Sequence, residues 1–142
     1  MTGVQTCALP ISLFYDHASG KIFVRHQVSL GASDTISSKR SVEWEALSQG
    51  IIIKKFHADN GIFSSEAFER DVEEHLQRIT FSGIGAQHQN AVAERAIGVA
   101  QNMARAMLLH PRLRWPDEFD PSLWPFALSC AVWIYDRLPH PM

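Results

Sequence analysis

The sequence predicts an α/β fold, because segments with the residue pattern of strands alternate with segments of helical periodicity. Residues 13–30 are rich in β-branched and aromatic residues around a turn, which indicates a β-hairpin. A helix is predicted over residues 35–49 and is followed by the apolar run 51–56, as in a buried strand after a crossover helix. A longer helix is predicted from Asn90 to about His110, where apolar residues recur every three or four positions.

Turn and capping residues delimit the first elements. Residues 17–20, HASG, have the composition of the hairpin turn. Ser33 or Asp34 can cap the first helix, and Gly50 suits its end. The apolar residues expected on the inner sides of these elements are Ile22, Val24, Val28, Ile36, Val42, Ala46 and Leu47.

The second half of the chain is divided in the same way. Ser64 or Ser65 can start a short helix, residues 78–82 suit a further strand, and residues 83–89 form a loop by composition. A last helix is predicted over residues 122–138. The long helix has an expected apolar stripe of Val92, Ala96, Val99, Met103 and Met107, with Ala93, Ile97, Ala100, Ala104 and Leu108 beside it. Its expected polar side consists of Glu94, Gly98, Gln101 and Arg105.

Composition limits the possible functions. The chain of 142 residues has 13 Lys+Arg and 15 Asp+Glu, so its net charge of -2 predicts no partner, and nucleic-acid binding has to depend on local residues. The longest apolar stretch, residues 123–135, is shorter than the roughly 20 residues of a membrane span, so no membrane segment is expected. Two cysteines without a CxxC pattern suit an intracellular protein, and Cys130 is expected to be a buried thiol.

The N-terminal segment has an unusual origin in our interpretation. Residues 2–11, TGVQTCALPI, resemble the conceptual translation of a common sequencing adapter, codon for codon. They lack the basic residues of an export signal, and Pro10 interrupts their apolar stretch. We therefore interpret residues 1–12 as an adapter-derived artefact that forms no domain; an ordinary N-terminal strand is the alternative.

Two carboxylates stand at positions suited to a metal ion. Asp59 follows the predicted buried strand, at the edge of an α/β sheet where ligands bind. Glu94 lies in the first turn of the long helix, on its polar side. If the two converge, their oxygens suit a hard divalent cation such as Mg²⁺. On spacing alone, a strand-end Asp is more often a turn former and a helix-start Glu more often a partner of the helix dipole.

The residues around both carboxylates resemble a known family. HADNGIF at residues 57–63 and QHQNAVAER at residues 87–95 resemble the segments that carry the second and third acidic residues of the retroviral-type integrase catalytic core. The match is nearest to integrases of copia-type LTR retrotransposons, and residues 15–30, 104–110 and 123–139 agree in order. The resemblance covers residues 13–139, which we interpret as an N-terminally truncated catalytic core.

This resemblance implies an RNase H-like fold, with a mixed sheet flanked by helices, and a site of two aspartates and one glutamate that holds two Mg²⁺ or Mn²⁺ ions. The implied function is DNA integration: metal-dependent 3′-end processing and strand transfer of retroelement DNA into target DNA. Asp59 and Glu94 are the implied catalytic metal ligands. The implied partners are DNA and further copies of the protein, and the expected location is the nucleus.

The first aspartate of this triad is missing from the expected place. Asp16 lies in the sequence DHASG, which resembles the turn between the second and third strands of the family. We therefore interpret Asp16 as a structural turn residue. The first ligand would then precede Leu13, the chain would lack the central first strand, and the polypeptide is expected to be inactive.

Contacts to DNA are expected near the loop and along the helix that follows it, since phosphates are bound by such polar side chains. A solvated helix face is the alternative for the two arginines. Ala91 stands where the family usually has Gly, and Gly98 stands where relatives tend to have a basic residue. His57 is expected to orient the strand end, and the four tryptophans to anchor the core or a dimer interface. The expected DNA contacts are Gln87, His88, Asn90, Arg95 and Arg105.

Two other functions remain open at this point. An insertion-sequence transposase has the same fold and acidic triad, although residues 123–139 favour the retroelement. An inert or residual nucleic-acid-binding fragment is the non-enzymatic alternative, and such a fragment would not bind Mn²⁺ at the acidic site.

Overall fold

Strands and helices alternate along the chain in a computed structural model, which describes residues 10–58, 61–83 and 91–139. The predicted α/β class is confirmed. One compact unit contains Leu13–His26 and the chain from Ala93 onward, and the other contains Pro10–Ser12 and Gln27–Val92. The elements are β1 (Ile11–Tyr15), β2 (Ile22–His26), α1 (Ala32–Ser48), β3 (Lys55–Ala58), α2 (Glu66–Glu74), β4 (Arg78–Phe81), α3 (Ala91–Arg114) and α4 (Trp124–Tyr135), with 3-10 turns at Ile62–Ser64 and Pro121–Leu123.

The predicted hairpin is formed by β1 and β2, which pair in a two-stranded sheet. The Asp16 amide donates to the Lys21 carbonyl at 2.9 Å, and the Gln27 amide donates to the Pro10 carbonyl at 2.7 Å, so the strands run antiparallel. Val28 was expected on the inner face of this hairpin. It instead lies beyond the end of β2 and is 86% exposed.

A chain of buried polar groups connects the start of β1 to the first turn of α1. The Ser12 hydroxyl donates to Gln27 Oε1 at 2.6 Å, and Gln27 Nε2 donates to Thr35 Oγ1 at 3.3 Å. All three side chains are buried. The strand thus includes Ile11 and Ser12, the last two residues of the segment that we interpreted as adapter-derived, whereas residues 1–9 lie outside the described residues.

Helix α1 begins earlier than predicted and without a side-chain cap. Its N-cap is Gly31, and neither Ser33 nor Asp34 occupies that position. Asp34 lies in the first turn, where its Oδ2 accepts hydrogen bonds from the Ser29 amide at 2.9 Å and the Ser29 hydroxyl at 2.7 Å. The carboxylate therefore fastens the preceding loop to the helix.

Strands β3 and β4 pair in parallel, connected by the crossover helix α2. The register places Lys55 opposite Arg78 and Ala58 opposite Phe81. Ser65 caps α2, because its hydroxyl accepts a hydrogen bond from the Phe68 amide at 3.3 Å. The predicted strand at residues 78–82 and the predicted cap at Ser65 are both confirmed.

The strand predicted over residues 51–56 begins later than the apolar run suggests. Ile51 and Ile52 are 49% and 70% exposed and lie outside β3. The Ile51 amide donates to the Ala46 carbonyl at 2.9 Å, so this part of the chain still closes the end of α1. The strand therefore contains only the last two residues of the run and the two residues that follow it.

A buried lysine joins α1, α2 and β3. The Lys39 ammonium has no exposed surface and lies 2.8 Å from a carboxylate oxygen of both Asp71 and Glu43. It also lies 5.5 Å from the centre of the Phe56 ring. Arg40 binds the other oxygen of Asp71 at 2.6 Å. Charged groups from α1 thereby hold the crossover helix against the strand pair.

The Asp71 carboxyl responds to these cations. Burial alone would raise its pKa, but hydrogen bonds and charge interactions with Lys39 and Arg40 outweigh burial and lower the pKa below its ordinary value of 3.8. The ionised Asp71 carboxylate therefore stabilises the folded state above its ordinary pKa. This contribution to the free energy of unfolding is lost as the pH falls through the lowered pKa of the folded state.

Helix α3 buries a line of alanines on one side. Ala96, Ala100 and Ala104 are at most 3% exposed, whereas Val92 and Val99 are 50% and 41% exposed. The predicted apolar stripe is therefore partly wrong: Ala96 is buried as expected, but the other buried residues are Ala100 and Ala104, which were expected beside the stripe, and the two valines are exposed. The helix also continues through Pro111 to Arg114, beyond the predicted end at His110.

Helix α4 contacts β2 and buries Leu128, Ala131 and Val132. Cys130 is exposed, so the expectation of a buried thiol is wrong. None of the helices in the described part of the chain is long and apolar enough to span a membrane.

Replacing Lys39 by Met should lower the free energy of unfolding by about 3 kcal/mol, because Asp71 is left buried with one cationic partner instead of two. Urea denaturation at neutral pH measures this loss. The control is Arg70→Met, which removes an exposed pair with Glu66 and should change stability by less than about 0.5 kcal/mol. Equal effects of the two substitutions would contradict a special role for the buried ammonium.

Candidate metal and nucleic-acid site

Glu94 occupies the first turn of α3 with an exposed side chain. The unpaired amides of a helix N-terminus favour a carboxylate at this position. Within the described residues, Glu94 makes no ion pair that would occupy its oxygens. The side chain is therefore accessible to an approaching cation.

Asp59 follows directly after the end of β3, because Ala58 is the last residue of that strand. The strand predicted before Asp59 is thus present, although it is shifted and, with only Ala58 buried, is not the buried strand that was expected. The position of the Asp59 carboxylate lies outside the described residues, as do three expected DNA contacts, Gln87, His88 and Asn90.

The carboxyl ends of β3 and β4 are joined by an imidazole. His57 Nδ1 lies 2.9 Å from Thr80 Oγ1, and His57 Nε2 lies 3.2 Å from Ser82 Oγ. The Ser82 amide also donates to the Ala58 carbonyl at 2.9 Å. Both ring nitrogens are engaged by hydroxyl groups, which agrees with the predicted role of His57 in orienting the strand end.

Sequence analysis did not single out Thr80 and Ser82. Their contact with the His57 imidazole comes from the parallel pairing of β3 and β4, since Thr80 and Ser82 lie 23 and 25 positions after His57 along the chain. The only signal in the sequence is the alternation of residues 78–82, which places Thr80 and Ser82 on the same side of a strand.

Asp16 uses both carboxylate oxygens within the hairpin turn. One accepts a hydrogen bond from the Ala18 amide at 3.1 Å, and the other accepts from the Ser19 amide at 3.1 Å and from the Ser19 hydroxyl. Partial burial would raise the pKa of Asp16, but these bonds and the nearby His17 lower it. The predicted bonding of Asp16 to nearby backbone is confirmed.

The polar side of α3 continues away from Glu94. Gly98, Gln101 and Arg105 follow Glu94 at spacings of four, three and four residues, which places them on the same face of the helix, opposite the buried alanines. Arg105 is exposed and lies about 16 Å along the axis from Glu94. Arg95, also exposed, flanks this face.

Gly98 leaves an opening in this face. A Cβ atom added to Gly98 would meet no neighbouring atom within 4 Å. The glycine is therefore required neither for close packing nor, in the middle of a helix, for an unusual turn. A longer side chain fits at this position.

The donor chemistry suits a hard divalent cation, since carboxylate oxygens are the ligands that Mg²⁺ and Mn²⁺ prefer. Among residues 10–58, 61–83 and 91–139, no three His, Cys, Asp or Glu side chains are grouped to hold a metal. Of the two predicted metal ligands, Glu94 is the one within the described residues. Its side chain is exposed, which suits a ligand at a metal site that is open to solvent and substrate.

Comparison of the whole fold identifies its class. The catalytic core of HTLV-2 integrase in complex with magnesium superimposes with a TM-score of 0.63 over 91% of this chain and 74% of that chain, at 19% identity. The BIV integrase catalytic core gives 0.59 over 93% and 84%, at 16% identity. The chain has the RNase H-like fold of integrase catalytic cores. The fold predicted from the sequence is thereby confirmed.

An integrase core within a larger assembly has the same fold. A chain of the simian T-cell lymphotropic virus intasome, solved with the PP2A regulatory subunit B56 gamma, matches with a TM-score of 0.67 at 20% identity. The match covers all of this chain and 52% of the intasome chain. The HTLV-2 core occurs in trimeric and dimeric forms. No protein-family model matches the chain, and no curated protein matches it.

Gly98→Ala should raise the free energy of unfolding by about 0.8 kcal/mol, because a helix-interior glycine is replaced in open space. Gly98→Lys should give a similar gain, with a few tenths more from the charge pair with Glu94 four residues earlier. Chemical denaturation of both variants checks this. Loss of stability in either variant would show that the space beside Gly98 is occupied.

Proposed function

We propose that this chain derives from the catalytic core of a DNA integrase of a copia-type LTR retrotransposon, whose chemistry in the intact protein is metal-dependent polynucleotidyl transfer. The observation that carries the proposal is the integrase-core fold in combination with Glu94 in the first turn of α3 and Asp59 directly after β3. The sequence resemblance at HADNGIF and QHQNAVAER supports the same assignment.

Asp59 and Glu94 would hold the divalent ions in this proposal. The magnesium described for the HTLV-2 core supports the choice of metal. Bound Mg²⁺ or Mn²⁺ would activate water or a DNA 3′-hydroxyl and stabilise the leaving oxygen of the phosphodiester. The chain itself contributes the strand end, held to β4 through His57, and the helix N-terminus that presents Glu94.

The DNA would lie along the polar side of α3. Arg95 and Arg105 are exposed there and would bind phosphates, with Gln87, His88 and Asn90 as further contacts before the helix. Retroelement ends and target DNA are the proposed partners, and the nucleus is the proposed place of action.

The proposal includes a missing ligand. The family site needs two aspartates, and Asp16 has both of its oxygens engaged in the hairpin turn. We infer that the first ligand belongs to a strand upstream of Leu13, in sequence whose place is taken by residues 1–12, which we interpret as adapter-derived. Residues 13–139 would then form a truncated core that binds metal weakly and does not transfer strands.

A second copy of the chain is the proposed partner of α4. Phe126 and Trp133 lie seven residues apart on one side of this helix and are 73% and 57% exposed, with Cys130 between them. The opposite side of the helix contacts β2. The dimeric and trimeric forms of the HTLV-2 core support an oligomer.

Metal binding and strand transfer test the function. Mn²⁺ should raise the melting temperature of the 142-residue chain by linkage, and Asp59→Asn and Glu94→Gln should each abolish that rise. The matched control is Glu69→Gln, which removes a first-turn carboxylate from α2 and should leave the rise intact. Absence of any Mn²⁺ effect in the unmodified chain would favour the inert-fragment alternative.

The same preparation decides the role of Asp16. Incubated with labelled DNA ends and Mg²⁺ or Mn²⁺, the chain should give no strand-transfer product, whereas a protein extended with the reassembled upstream sequence should give one. Strand transfer by the 142-residue chain that is abolished by Asp16→Ala would contradict the truncation. A reverse-transcriptase frame downstream in the same locus would distinguish the retroelement from an insertion-sequence transposase.

Phe126→Lys should shift the chain toward the monomer in sedimentation velocity, because it places a charge in an apolar contact between copies. Leu113→Lys is the matched control: Leu113 is 74% exposed on α3 and lies outside this surface. If the unmodified chain is monomeric at all accessible concentrations, or if both variants dissociate it equally, α4 is not the interface.

A further inference from the structure

The pair of β3 and β4 has one side directed toward the helices and one side directed to solvent. Phe56 lies near the Lys39 ammonium of α1, and α2 contacts β4. Side chains alternate along a strand, so Lys55 and His57 project to the other side, as do Arg78 and Thr80. These four side chains are exposed.

Two cations face each other on this open side. The register places Lys55 directly opposite Arg78, and neighbouring strands are about 4.8 Å apart. Like charges in such a position repel each other and weaken the pairing. In the part of the chain that the structure describes, neither side chain forms an ion pair with an acidic residue. A single anion between them would remove the repulsion.

We propose that Lys55 and Arg78 bind a phosphate of the DNA backbone on the open side of the β3–β4 pair. This inference rests on the proposed function and adds a contact that lies on strands, apart from the α3 face. Ammonium and guanidinium groups bind phosphate oxygens by charge-assisted hydrogen bonds. The hydroxyl of Thr80 lies two register pairs further along, beside His57.

Salt-dependent binding of a fluorescent DNA duplex tests the contact. Anisotropy titrations between about 50 and 200 mM salt give the slope of log affinity against log salt. The double variant Lys55→Gln/Arg78→Gln should reduce the magnitude of that slope by about 1, the contribution of one neutralised phosphate, and each single variant by part of that amount. The control is Lys54→Gln, which removes the same charge from the adjacent residue, before β3 begins and outside the Lys55–Arg78 register pair, and should leave the slope unchanged.

Thermal unfolding without DNA separates lost contacts from misfolding. The melting temperatures of Lys55→Gln and Arg78→Gln should equal or exceed that of the unmodified chain, because the repulsion is relieved. If the unmodified chain binds DNA and Lys54→Gln changes the slope as much as Lys55→Gln does, this inference is overturned while the proposed function stands. If the unmodified chain binds no DNA at all, the proposed function itself fails.

Discussion

The buried ammonium of Lys39 is the interaction on which the strand-helix-strand part of the fold depends. A buried cation costs several kcal/mol unless paired, and Lys39 meets that requirement with carboxylates of Glu43 in its own helix and Asp71 in α2. Its position near Phe56 extends the constraint to β3. The end of β3, which leads into Asp59, is therefore fixed by charges that lie outside the candidate site.

The long-range contacts of Lys39 illustrate why part of the fold could be predicted from sequence and part could not. Helical spacing located α1, and the apolar run after it indicated a strand. The first residue of the run, however, is bonded to the end of α1, and the strand begins only at Lys55 and extends to Ala58. Charged residues at 39 and 71 appear in the sequence as solvent-facing positions. Their pairing arises only when α1 and α2 lie side by side, which local periodicity does not encode.

In the candidate site, too, residues marked by local sequence patterns were predicted, whereas residues that depend on long-range contacts were not. Glu94 at a helix start and Asp59 at a strand end follow from local patterns and were predicted. Thr80 and Ser82 were not, because their contact with His57 depends on the register of a parallel pair. In α3, the predicted apolar stripe included Val92 and Val99, yet the buried residues are Ala96, Ala100 and Ala104. Hydrophobicity alone ranks valine above alanine, so it does not show which of the apolar residues on a helix are packed in the interior.

A chain with a net charge of -2 can bind a polyanion only where its positive charge is concentrated. Helix α3 carries four arginines and one glutamate, whereas the rest of the chain carries nine basic and fourteen acidic residues. On the β3–β4 pair, Lys55 and Arg78 form a second cationic point, on strands instead of a helix. One basic surface begins beside Glu94 and the other precedes Asp59 along the strand. Each proposed metal ligand thus has cations near it along the chain: Glu94 is on the helix that carries the four arginines, and Asp59 directly follows the strand that carries Lys55.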